Sequence, residues 1–138
     1  MNIKIILSIL FVAAGVSLRA QNITTDNLKW HVSYIDDVNK GERTQSENEK
    51  LVTYGSERIE WHNADGSIKY TYAINDIGGS WSNVSNNGSI VYQFKNGDQL
   101  GTVTFERANN EITVRVLLGK DDELPVIYEI KIVKITTL

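Results

Sequence analysis

The chain predicts an all-β fold, an antiparallel meander of seven to eight strands closing into an up-and-down barrel. Three observations carry that expectation. Apolar side chains recur at every second position over most of the chain beyond Gln21, the spacing of strands with one buried face. Turn-forming residues (Asn, Gly and Asp) interrupt these runs at short intervals, and short links make successive strands antiparallel neighbours. No window repeats its apolar residues with a helical period. The alternative for the same strands is a β-sandwich or an open sheet. Closure is preferred because it removes free strand edges, and eight strands enclose just enough room for side chains or one small ligand.

The first twenty residues stand apart. Met1 to Lys4 form a short basic start, and Ile5 to Val16 (IILSILFVAAGV) an uncharged run of twelve. A bilayer span needs roughly 20 apolar residues, so residues 1–20 read as a signal peptide cut after Ala20. Residues 21–138 are then one all-β domain, exported to the periplasm, the outer surface or the medium. Removal of Lys4 and Arg19 takes the formal charge from −3 to −5. An acidic domain with no basic cluster argues against nucleic acid as a partner. No later run is long and apolar enough to span a membrane. The chain has no cysteine, so neither disulfides nor a lipid-modified cysteine can hold it, and its core must suffice.

Within the domain, Leu28, Trp30, Val32 and Tyr34 mark the first strand. Asp36 to Lys50 is polar apart from Val38 and reads as a long loop, a candidate lid. Leu51 to Trp61 reads as one strand whose phase changes near Gly55, as at a β-bulge. Ile68, Tyr70, Tyr72 and Ile74 follow, then Ile90, Tyr92 and Phe94, Val103 and Phe105, Ile112 to Leu118, and Val126 to Ile132. Between two of these lies GGSWSNVSNNGS, Gly78 to Ser89. It reads as turns at Gly78-Gly79 and Asn86-Asn87-Gly88 around a short eighth strand, Ser80 to Ser85. Asn96-Gly97 and Asn109-Asn110 suit type I′ turns, and Ala64-Asp65-Gly66 a longer hairpin. Pro125 opens the last strand, where a missing N–H is tolerated.

Gly79-Ser80-Trp81, Asn87-Gly88-Ser89-Ile90 and the alternating aliphatics of Val126 to Ile132 together resemble the small bacterial lipocalin-like (calycin) domains. The resemblance spans roughly Leu28 to Ile135. The first strand carries Leu28-Lys29-Trp30 where such domains usually carry Gly-x-Trp. The resemblance implies a non-enzymatic barrel holding a small apolar molecule, with Gly79 and Trp81 structural and Trp81 plugging or capping the barrel.

The richest binding chemistry is aromatic. Trp30, Tyr54, Trp61, Tyr70, Tyr72 and Tyr92 are the expected walls of a site for a small apolar or amphipathic ligand at the barrel mouth. The alternative is a filled core in a structural or protein-interaction module, and an uncharacterised hydrolase is the third reading. Neither metal nor cofactor is expected. The only histidines, His31 and His62, with Glu60, lack a recognised metal spacing, and the acidic groups Asp36-Asp37 and Asp121-Asp122-Glu123 lack the alternation of a calcium loop. No nucleophile motif is present, since Gly78-Gly79-Ser80-Trp81-Ser82 lacks the final glycine of Gly-x-Ser-x-Gly. Glu57 and Glu60 are the one carboxylate pair to consider for glycoside hydrolysis.

Overall fold

The computed structural model describes residues 21–96, 98–119 and 124–138. The expected leader, Gly97 of the Asn96-Gly97 turn and the acidic run at 121–123 lie outside them. Nine strands form: β1 Asn27–Asp37, β2 Glu42–Gln45, β3 Lys50–Tyr54, β4 Arg58–His62, β5 Ile68–Gly79, β6 Gly88–Asn96, β7 Gln99–Ala108, β8 Glu111–Gly119 and β9 Val126–Thr137. From β3 to β9 each strand pairs antiparallel with the next, and β9 returns to β1. One edge of β1 pairs with β3 along Asn27 to His31 and with β2 along Tyr34 to Asp37. Thus β2 and β3 follow one another along that edge, and the barrel closes with eight staves plus one additional strand.

Register places the apolar alternants inside. Trp30 faces Leu51 on β3 and Ile135 on β9. Phe105 lies between Ile90 and Val114, and Val103 between Tyr92 and Val116. Trp30, Trp61, Tyr92, Phe94 and Phe105 are each at most 1 % exposed. Tyr92 and Phe105 fill the middle of the lumen, with Trp30 toward one end and Trp61 and Phe94 toward the other, as the geometry of a small eight-stranded barrel allows. Gly101 lies opposite Phe94, and a side chain there would strike the Phe94 ring.

Three local expectations change. Leu51 to Trp61 is a hairpin of two strands, and the phase change at Gly55 is its turn. Gly55 has φ +55° and sits so close to the Thr24 carbonyl that a Cβ would lie 3.2 Å from it, a conformation that favours glycine. This hairpin supplies the eighth stave that the sequence placed at Ser80 to Ser85. Those residues form a loop with a single bridge, Asn83 to Asn22. Finally, Asp36 to Lys50 is not one long loop. Strand β1 runs to Asp37 and turns into β2, whose residues are all exposed, so no apolar alternation could announce it. An Asp36–Arg43 ion pair at 2.7 Å and the Arg43 guanidinium 3.9 Å over Tyr34 hold this hairpin. The Asn39 side chain ties it to β9, donating to the Pro125 carbonyl and accepting from Ile127 N–H.

Candidate functional site

The barrel has two unlike ends. At the first, residues Gln21 to Asp26 cross below the lumen beside the Ser80 to Asn87 loop. Ile23 N–H donates to the Ser82 carbonyl and Val84 N–H to that of Gln21. Ile23, Trp81 and Val84 are buried there. Trp81 packs 6.0 Å from Trp30, centroid to centroid, and its indole N–H donates to the Asn86 carbonyl. Gly88 leaves room for this ring, for a Cβ at Gly88 would overlap it. Gly88 therefore opens β6 beside Trp81 and is not the turn residue the sequence suggested. Gly79, at φ +93°, ends β5 where a Cβ would come 2.7 Å from the Ser89 carbonyl.

The opposite end is aromatic. Tyr70 and Tyr72 are alternate residues of β5 and stack at 6.0 Å. Trp61 on β4 meets Tyr70 edge-on at 5.9 Å, and Tyr128 on β9 meets Trp61 at 5.7 Å with the rings perpendicular. Tyr70 is 42 % exposed while Trp61 and Tyr72 are buried. The Tyr72 hydroxyl finds no hydrogen-bond partner among the described residues, nor does that of Tyr92 deeper in the lumen. Burying a hydroxyl without a partner is costly. Burial pushes the Tyr72 hydroxyl up, with Tyr70 and Tyr128 adding to the shift. Burial likewise raises Tyr128, followed by Asp37 and Tyr70.

Charged groups stand at this rim. The register between β4 and β5 slips after Trp61, which pairs with Tyr70 while His62 pairs with Ile68. Lys69 is the extra residue of that bulge, the device that re-aims a side chain at barrel rims. Its ammonium lies 4.6 Å from the Trp61 centroid and 5.7 Å from that of Tyr70. Glu49 accepts the Trp61 indole N–H at 3.3 Å and lies 4.0 Å from the Lys69 ammonium. Asp37 pairs in register with Tyr128. Around the same end stand Val38, Ile68, Tyr70, Leu100, Leu124 and Val126, six of the eight exposed large apolar side chains among the described residues.

The six expected wall residues therefore separate. Trp61, Tyr70 and Tyr72 meet at the mouth. Tyr92 lies deeper, and Trp30 lies near the closed end with its indole N–H donating to Thr53 Oγ1. Tyr54 is outside the barrel, where its hydroxyl donates to Glu60 Oε1 and the Arg58 guanidinium covers its ring at 3.8 Å. Tyr128, Lys69, Glu49 and Asp37 stand at the mouth beyond the six expected walls. Tyr128 was legible as an inward alternant of β9. The reach of Lys69 was not, because it depends on a bulge.

The outer face holds a separate polar group. Glu60 is 7 % exposed and is surrounded by the Tyr54 hydroxyl, Arg58 Nε at 3.3 Å and His62 Nε2 at 3.0 Å. Burial opposes its ionisation, but the contacts with His62, Tyr54 and Arg58 outweigh it and hold the carboxyl below its ordinary value. Glu57 bonds the same Arg58 and is largely exposed. One guanidinium thus binds both carboxylates of the candidate hydrolytic pair, on a convex surface. Lys50 stands between His31 and His62 in register, and His31 bonds Thr136 instead.

By fold and mouth, the molecule is a closed antiparallel β-barrel with one plugged and one aromatic end. No family model matches the chain, and neither a curated protein nor a solved structure shows significant similarity to it.

Proposed function

We propose that this is an exported, non-enzymatic, lipocalin-like domain that binds a small apolar or amphipathic molecule at its aromatic end. The carrying observation is the Trp61–Tyr70–Tyr72–Tyr128 cluster, half-open at Tyr70 and containing the buried, unpaired Tyr72 hydroxyl. Aromatic walls with a few polar groups are the usual lining of small-molecule sites. The filled middle of the lumen restricts the ligand to the mouth, where the apolar rim extends the contact surface. That rim also favours a second reading, in which Leu100, Leu124 and Val126 dock a protein partner.

Tryptophan fluorescence tests the proposal with alkyl-chain probes. Of the three tryptophans, Trp61 lies at the mouth, whereas Trp30 and Trp81 lie toward the plugged end. A saturable change is expected that persists in Trp81→Phe and disappears in Trp61→Phe. Absence of any response, with no small molecule recovered by native mass spectrometry from protein purified from its host, would contradict the ligand reading and leave the docking one.

A further inference from the structure

The mouth already holds a cation. Lys69 is the bulge residue of β5, turned so that its ammonium lies over Trp61 and beside Tyr70, with Glu49 as its counter-charge. An ammonium over an aromatic face is attracted by the ring quadrupole, most strongly by tryptophan. Trp61 is 1 % exposed, although the Lys69 side chain itself is 38 % exposed. A long, flexible and part-solvated side chain is easily moved aside. Moving it would bare the Trp61 face between Tyr70 and the carboxylate of Glu49. Tyr128 lies at right angles to that indole, and Asp37 pairs with Tyr128 across the closing strands. The result is an aromatic enclosure with two carboxylates at its edge, in a chain of formal charge −3.

Resting on the reading of the mouth as a ligand site, we infer that its ligand class is a cationic amphiphile. An alkylammonium or quaternary ammonium headgroup replaces the Lys69 ammonium over Trp61 and Tyr70, and its apolar chain lies along the rim beside Ile68 and Val126. Lys69 is then a built-in competitor that occupies the enclosure when no ligand is present. An anionic headgroup would meet Glu49 and Asp37, and a neutral one would gain nothing from displacing an ammonium.

The test compares three probes with the same alkyl chain, decyltrimethylammonium, decyl maltoside and decanoate, each below its micelle concentration. Binding is followed by tryptophan fluorescence and calorimetry. The cationic probe is expected to bind about tenfold more tightly than either of the others, the size of a desolvated cation–aromatic contact. Lys69→Met should tighten the cationic probe severalfold, and Tyr70→Leu, at an exposed position, should weaken it without loss of fold. Decanoate or maltoside binding equally well would overturn the headgroup inference and keep the ligand site. No binding by any probe would overturn both. Unchanged cation binding in Tyr70→Leu would show attachment elsewhere on the acidic surface and also overturn it.

Discussion

Trp81 and Glu60 show how single residues hold this barrel from opposite sides. Trp81 was recognisable in the sequence as a tryptophan among glycines and serines, but its setting was not. It stands in a loop, packs on Trp30 and lies against Gly88. Trp81→Ala is expected to cost about 3–5 kcal/mol in chemical denaturation, as for other buried aromatics, and Gly88→Ala to destabilise because Trp81 must shift. Glu60 gave no such signal, since its environment depends on strand register. Its carboxyl ionises below the ordinary 4.5 because His62, Tyr54 and Arg58 together outweigh burial. The folded form therefore binds a proton less readily than the unfolded chain. Stability from this group is present above that ordinary value and is lost as pH falls through it toward the folded value. Glu60→Gln should narrow the difference between denaturation midpoints at neutral pH and at about pH 3.5. An unchanged difference would show that the cluster carries no such linkage.

Strand alternation was legible wherever one face is buried. It failed at β2, where Glu42 to Gln45 is exposed throughout, and at Gly55, where a hairpin and a bulge leave the same mark on apolar phase. Both Asn109 and Asn110 do adopt left-handed conformations, φ 53° and 61°, as expected for the turn between β7 and β8. Gly55→Ala is expected to cost about 1–2 kcal/mol for the left-handed backbone alone. Gly79→Ala should cost more, because its Cβ would also press on the Ser89 carbonyl at 2.7 Å. Removing the Asp36–Arg43 pair by Asp36→Ala should cost less than either glycine variant, because solvent screens exposed ion pairs. Thermal midpoints of the three variants order these effects, and a β2 hairpin variant as unstable as Gly79→Ala would contradict the assignment.

At the scale of the whole molecule, the antiparallel barrel followed from strand number, short links and the absence of helical period. Closure of β9 on β1 could not be read locally, because it joins residues as distant as Leu28 and Thr137. The site was half legible. Trp61, Tyr70 and Tyr72 stood out as aromatics, whereas Tyr54 fell on the other face and Trp30 near the plugged end. Composition cannot distinguish the two sides of a strand once a bulge or turn resets its phase. The arrangement divides the barrel into a plugged end, a filled middle and an aromatic mouth carrying its own ammonium. The most direct measurement of that division is a backbone amide NMR titration with decyltrimethylammonium. Saturable shifts are predicted for Asp37, Glu49, Trp61, Lys69 to Tyr72 and Tyr128, with Ile23, Trp81 and Val84 unmoved. Shifts centred on Ile23, Trp81 and Val84, or none that saturate, would contradict it.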